Sequence, residues 1–322
     1  MSTSTDANIT AYWNNASSSM NRYFSIFLFL FGTIGNILNI LVLFQRELRT
    51  NSCSFLFLIS SIANLIAILS GLTTRMLSGW TLDLTNTIDW LCKLRAFILF
   101  VSRNIALLSI MFAALDRWLS SSINVHRRHM STLKNAQRAV ILLLILSAII
   151  YSPIFYCYKA NLINAPLKCY GETNICRISN DLIYACCTIL FPILLMSLFG
   201  IMTINNIRHV QSRINITNSN ERLPISKKKK VDRQLSLMLF IQIILLALFT
   251  LPQAIQKLYS TITANQILSS AQTAFNNFIF NLVLLLTYVA NGVPFYIYTL
   301  SGGTVFRNAL IQLFRKLNQI HP

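Results

Sequence analysis

Seven apolar runs, at about residues 23–45, 53–77, 92–121, 137–158, 179–206, 232–260 and 273–299, constrain this chain more than anything else in it. Each is long enough to cross a hydrocarbon core of roughly 30 Å as a helix. In lipid every backbone N–H and C=O must be satisfied internally, so only helices or a closed barrel can span. Barrel strands are short and alternate apolar with polar residues, whereas these runs are continuous. The expected fold is all-α, a seven-transmembrane helix bundle. The composition agrees: 54% of the 322 residues are hydrophobic and 11% charged, where a soluble chain carries about a quarter charged residues.

A net charge of +18 would suit a polyanion-binding protein, but the basic residues form no block of their own. They lie in alternate segments between the apolar runs: Arg46 and Arg49, then Arg127, Arg128, Lys134 and Arg138, then 208–233, then Arg307, Arg315 and Lys316. With Arg117, these segments hold 18 of the 27 basic residues and four of the nine acids, a net +14 against +4 on the other side. That is the positive-inside pattern. Membrane lipid is the expected partner of this charge, and nucleic acid is not one. The N-terminus is expected outside, at the plasma membrane, and the C-terminus inside. Residues 1–22 then form an extracellular tail, 23–302 the bundle, and 303–322 an inner-surface helix and cytoplasmic tail. The tail carries two glycosylation sequons, at Asn8 and Asn15. Residues 304–318 place Phe306, Ala309, Leu310 and Leu313 at helical spacing with Arg307 and Arg315 off the stripe, an amphipathic helix for the inner leaflet.

The third run is the most informative. It opens at Cys92 and ends in Asp116-Arg117-Trp118, a length of about 37 Å from Cys92 to Arg117 at helical rise. Arg103 lies inside it. A central arginine costs about 2.5–3.5 kcal/mol in a span, so Arg103 and Arg117 are expected to face the bundle interior or a cavity. Prolines at 153, 192, 252 and 294 kink four of the runs. Cys53, Cys157, Cys186 and Cys187 lie in or beside apolar runs and are read as small buried hydrophobes. Cys92, Cys169 and Cys176 fall in or near outer segments, where disulfides persist. No Cys/His spacing suits a metal, no cofactor is implied, and no hydrolase or metalloprotease motif appears, so an enzyme is not expected.

Seven runs with Cys92 set 25 residues before an Asp-Arg-aromatic triplet resemble the rhodopsin-like (class A) family of G-protein-coupled receptors, in motif style its neuropeptide receptors. The resemblance covers nearly the whole chain. Gly35-Asn36 matches the family's glycine–asparagine, and Ala63-Asn64-Leu65 stands where Ala-Asp-Leu is usual. Pro192 matches the proline of the fifth span. Phe249-Thr250-Leu251-Pro252 occupies the place of Cys-Trp-x-Pro, and Pro294-Phe295-Tyr296-Ile297-Tyr298 resembles the Asn-Pro-x-x-Tyr element. Asn36, Asn64, Pro192, Pro252, Asn291 and Pro294 are the packing and kink positions so implied. Asn64 in place of the acid argues against a sodium site.

The resemblance implies an extracellular ligand and a heterotrimeric G protein. It makes Asp116, Arg117, Trp118 and Tyr298 the switch residues, with Asp232 at the inner end of the sixth span as the acid that pairs with Arg117. Cys92 is expected to bond a cysteine of the loop before the fifth span. Cys169 is favoured over Cys176, which leaves almost no loop before that span begins. The expected ligand pocket comprises Arg95, Leu99, Arg103 and Thr250. Leu99 stands where amine receptors carry an aspartate, and the seventh span has no lysine for a retinal Schiff base. Arg95 and Arg103, eight residues apart, share a helical face, with Arg75 and Lys93 near the same mouth, an arrangement suited to a carboxylate or other anion. The outer acids Asp83, Asp89, Glu172 and Asp181 suit a basic peptide instead. A short peptide is the expected ligand. The alternative class, a transporter or channel, would show inverted repeats and a polar pathway, and neither is visible.

Overall fold

Seven helices among the described residues are long and apolar enough to cross a membrane: Asp6–Leu43, Ser52–Gly79, Asp89–Ser121, Leu133–Cys157, Asn174–Arg208, Gln234–Ile262 and Ser270–Gly292. They are termed spans one to seven. The computed structural model describes residues 2–80, 82–163, 165–217, 227–263, 266, 268–301 and 303–320. Side chains at 2–5, 47, 209–217, 227–233, 303–305, 314 and 316–320 lie outside that description.

Polar side chains draw the span boundaries where the apolar runs leave them open. Asn51 accepts from the amides of Cys53 and Ser54 to start span two, Thr132 caps span four, Thr173 caps span five, and Ser269 with Gln272 forms a capping box on span seven. Such caps satisfy amides that have no partner within the helix. Pro153 ends the main helix of span four at Tyr151 and starts a short turn, Ile154–Cys157. Ahead of Pro192, span five loosens into the π-helical stretch Ile183–Leu190. Pro252 lies within span six. Val293 caps the end of span seven, and Pro294 opens a further helix, Pro294–Ser301.

The chain departs from expectation at its start. Residues Ser2–Ser19, read as a polar tail, are helical and run through a π-helical turn, Met20–Phe24, into the apolar part of span one. This N-terminal helix lies against span seven: the Trp13 ring sits 5.0 Å from Phe275 and 5.1 Å from Phe278. Below it, spans one and seven meet at glycines. A Cβ on Gly292 would lie 3.1 Å from the Gly32 Cα, and this close approach lets Asn36 Nδ2 donate to the Asn291 carbonyl at 2.9 Å.

Span three runs through the middle of the bundle, with 67% of its apolar window buried, the most of any span. Asn104 joins it to its neighbours, donating to Ser147 of span four at 2.9 Å and accepting from Thr188 of span five at 3.2 Å. The outward faces stay apolar, as at Ile141, Ile145 and Ile149 of span four and Leu194 and Leu198 of span five, which suits a lipid surround. After span seven, the helix Gly303–Ile320 turns its apolar stripe to the bundle: Phe306 and Ala309 are buried in the core and Arg307 and Arg315 are exposed. Arg307 donates to the carbonyls of Thr299 and Leu300 at the end of the preceding helix, a cation where helix ends favour one.

Between spans four and five the chain forms a small hairpin, Tyr158–Lys159 paired antiparallel with Tyr170–Gly171. Two disulfides hold it. One joins Cys92 to Cys169, with Cα atoms 5.7 Å apart, and the other joins Cys157 to Cys176, with Cα atoms 5.4 Å apart. Cys176 is therefore not the partner of Cys92, and Cys157, read as a small buried hydrophobe, is half of a second bridge. The helix of span five starts at Asn174 and that of span four ends at Cys157, so both residues sit at helix ends that face each other across the hairpin. Among the described residues Cys53, Cys186 and Cys187 take part in neither disulfide.

Candidate ligand cavity and inner-face cluster

The hairpin roofs a cavity at the disulfide end of the bundle. Tyr158, Leu167, Cys169 and Tyr170 come down from the roof, Arg95, Leu99 and Arg103 face in from span three, and Tyr288 from span seven. The cavity is small, about 40 Å³, and adjoins an outer vestibule of about 450 Å³ that shares Arg75, Arg95, Leu167 and Cys169 with it. The N-terminal helix lines the vestibule through Asn14, Ser17 and Ser18. A short chain of bonds links that helix to the wall: Asn281 donates to Ser17 at 3.0 Å and accepts from Arg75 at 3.0 Å.

Of the four expected pocket residues, the structure brings three together. Arg95, Leu99 and Arg103 line the inner cavity, but Thr250 does not. Its hydroxyl donates to the Leu246 carbonyl one turn back, at 2.7 Å, the usual fate of a threonine within a helix. Gln253, one turn further out, lines the cavity in its place. Lys93 is half-buried and does not reach the lining, whereas Arg75 does.

The charged and polar lining residues Lys257 and Tyr170 escaped the sequence. Lys257 of span six is 3% exposed and donates to Asp181 of span five at 2.6 Å and to the Tyr170 hydroxyl at 2.5 Å. Asp181 also accepts from Tyr170 at 2.9 Å. Burial and the neighbouring carboxylate push the Tyr170 phenol well above its ordinary value, so it keeps its proton and serves as a donor at neutral pH. Asp181, read as an outer acid facing the ligand, is instead 3% exposed and neutralised by Lys257. A lysine five residues past Pro252 in an apolar span was the available signal, because a charge within a span is seldom without a partner.

The remaining outer acids are engaged as well. Asp83 accepts from the Thr85 amide and hydroxyl at 3.0 and 2.7 Å, Asp89 from the Ala160 amide at 2.8 Å, and Glu172 from Lys159 at 2.6 Å. The carboxylate beside Lys159 raises that amine above its ordinary value. Among the described residues the cavity lining thus carries Arg75, Arg95, Arg103 and Lys257 and no acid, with Asp181 behind it on Lys257 and Asp83 on the vestibule wall, an anion-attracting site.

At the opposite end, Asp116 is the centre of a buried cluster. It accepts from Ser52 at 2.8 Å, Ser131 at 2.6 Å and Arg117 at 2.7 Å. Arg117 is 3% exposed, turned into the bundle rather than towards headgroups. The expected partner Asp232 has its side chain outside the described residues. Trp118 stacks on Phe199 of span five at 5.6 Å, with Arg127 over its face. Tyr298 is fully buried and donates to Gln242 of span six at 2.5 Å. Asn64 is buried in span two and Asn291 in span seven. Asn8 and Asn15 are exposed on the N-terminal helix, seven residues apart and so on one face, away from Trp13.

Seven spans, a cavity roofed by a disulfide-bonded hairpin and a buried Asp-Arg pair at the far end of span three define a heptahelical membrane protein. The sequence matches the 7 transmembrane receptor (rhodopsin family) over residues 35–298, most of the chain, which belongs to that family. It is similar to Galanin receptor 2a of Danio rerio, 24% identical over 246 residues covering 76% of this chain and 65% of the relative. It is also similar to Galanin receptor type 2 of Rattus norvegicus, 24% identical over 229 residues covering 69% of this chain and 59% of the relative. The chain thus spans less than two thirds of the length of these curated relatives.

Proposed function

We propose that this chain is a plasma-membrane receptor, without catalysis of its own, that takes a short extracellular peptide in the roofed cavity and activates a heterotrimeric G protein at the opposite face. The observation that carries this reading is the layout of span three. One helix bears the roof disulfide at Cys92, the cavity residues Arg95, Leu99 and Arg103, and the buried Asp116–Arg117 pair at its far end. A displacement at one end of a packed helix reaches the other end. The galanin receptors among the relatives support a peptide as the ligand.

The orientation places the N-terminal helix, the hairpin and Asn8 and Asn15 outside. Two disulfides at that end and the basic excess at the other support it independently. At the inner face Arg117 holds Asp116 in the resting state. On activation it swings to meet a helix of the G protein in a groove between spans three, five and six, with Trp118 and Tyr298 on the groove wall. Pro192, Pro252 and Pro294 supply the kinks about which those spans move.

The test is Arg117→Ala in a cell assay of G-protein activation, with a peptide library applied outside. Activation by peptides that drive the wild type is expected to fall at least tenfold at equal surface expression. Activation that survives unchanged would overturn the role given to Arg117.

A further inference from the structure

The cavity's positive charge is left open by the protein's own acids. Asp181 is held by Lys257, Asp83 on the vestibule wall accepts from Thr85, and Asp89 and Glu172 are engaged by Ala160 and Lys159. Among the described residues, none of Arg75, Arg95 and Arg103 forms an ion pair.

Arg103 is the deepest of the three. It is 4% exposed, its Nη1 donates to the Tyr184 hydroxyl at 3.1 Å, and its planar group lies 4.3 Å from the Tyr288 ring. Its Nε and Nη2 have no partner among the described residues. Those two groups share one edge of the guanidinium and point the same way, the edge that grips a carboxylate through two parallel hydrogen bonds. Arg95 repeats the pattern: Nη1 donates to Thr74 at 2.7 Å, Nη2 leans on the Cys169 sulfur at 3.7 Å, and Nε is unpartnered. Buried charged donors without acceptors are costly, and here they converge on one small cavity with an apolar wall of Leu99, Phe100, Phe280 and Leu284.

We propose that the cavity receives the C-terminal α-carboxylate of an extracellular peptide, seated on the Nε–Nη2 edge of Arg103, with Arg95 and Arg75 at the rim. This rests on the reading of the chain as a receptor for an extracellular ligand. A terminal carboxylate enters on a single strand, whereas an internal acidic side chain would need two strands in a space of about 40 Å³. The last side chain of the peptide is apolar, to match the wall, and the preceding residues occupy the 450 Å³ vestibule.

The experiment uses the purified full chain in detergent and a pair of probes, N-acetyl-L-phenylalanine and its uncharged amide, at millimolar concentration. The acid is expected to raise the thermal midpoint by about 3 °C, since a ligand that binds only the folded state stabilises it. The amide is expected to leave the midpoint unchanged. Arg103→Gln abolishes the response to the acid, and Arg103→Lys, which keeps the charge but loses the fork, retains less than half. If Arg103→Gln does not yield folded protein, Arg95→Gln serves in the same comparison with a reduced response. Equal responses to acid and amide, no response to either, an undiminished response in these variants, or an equal rise with inorganic phosphate each overturn the proposal. No G protein is present, so failure here leaves the Arg117 assay standing, and failure of that assay leaves this result intact.

Discussion

Lys257 of span six grips Asp181 of span five at 2.6 Å, across 76 residues of chain, with the two side chains 4% and 3% exposed. Tyr170 of the roof hairpin bonds both, so the three groups tie two spans and the roof together. Removing one partner of a buried pair leaves an uncompensated charge at a cost of about 3–5 kcal/mol, while replacing both with apolar residues is often neutral. Asp181→Asn is expected to lower thermal stability sharply, and the double variant Asp181→Leu with Lys257→Met to recover most of the loss. A double-mutant cycle in detergent measures it. Additive losses would show that the two side chains are not coupled.

Gly71 and Gly200 make opposite predictions under the same substitution. A Cβ at Gly71 would overlap the Tyr288 hydroxyl and lie 2.7 and 2.9 Å from the ring carbons Cζ and Cε1. Tyr288 is 1% exposed, lines the cavity and lies against the Arg103 guanidinium, so a displaced ring would intrude on the cavity and on Arg103. Overpacking of this kind costs about 1–3 kcal/mol. At Gly200 the nearest atom, Ile243 Cδ1, is 4.0 Å away, and a glycine within a helix is about 0.5–1 kcal/mol worse than alanine. Gly71→Ala should lower the thermal midpoint and blunt the response to a carboxylate probe, whereas Gly200→Ala should raise the midpoint slightly.

The spans were legible because each apolar run exceeds the thickness it must cross, and hydrophobicity alone marks it. The N-terminal helix was not, since residues 2–19 carry no apolar stripe and their one large anchor, Trp13, finds its surface on Phe275 and Phe278 at the far end of the chain. Arg95 and Arg103 could be paired from sequence because both lie on one helix, where spacing fixes the face. Lys257 and Asp181 could not, because their meeting depends on how spans five and six are rotated, a matter of packing. Thr250 was assigned to the pocket by its place in a family motif, but the shorter side chain turns back on its own helix. The pairing of Cys157 is invisible in sequence because Pro153 ends the main helix of span four at Tyr151 and leaves Cys157 in a separate turn, while the apolar run continues unbroken.

The two roof disulfides differ in reach. Cys157–Cys176 closes a segment of 19 residues and Cys92–Cys169 one of 77. In the chain-entropy account a closed loop of 15 residues stabilises by about 3 kcal/mol and one of 100 by about 4.7. Removing Cys157–Cys176 with paired serines should therefore lower the thermal midpoint less than removing Cys92–Cys169 in the same way. The second removal also frees Cys169 from the cavity wall and should weaken carboxylate binding further. Non-reducing peptide mapping of the wild type should recover both linkages. Recovery of a Cys92–Cys176 peptide would contradict the roof described here.

At the inner half of the bundle, Tyr298 donates to Gln242 at 2.5 Å and packs 5.0 Å from Phe57 and 5.8 Å from Phe306. The bond ties the segment after span seven to span six, the helix whose inner end moves in the proposed activation. Tyr298→Phe keeps the ring contacts and deletes only the donor, leaving the Gln242 oxygen buried without it. An unsatisfied buried acceptor costs about 1–3 kcal/mol, and that penalty falls on the closed arrangement, where Gln242 is 2% exposed. Tyr298→Phe should therefore raise basal nucleotide exchange on a co-expressed G protein by about tenfold, since 1.4 kcal/mol is tenfold in an equilibrium. Gln242→Leu, which removes the acceptor and fills the space, should in the Tyr298→Phe background restore both the stability and the closed bias. If basal exchange is unchanged in Tyr298→Phe while its thermal midpoint falls, the bond supports the fold alone and takes no part in switching.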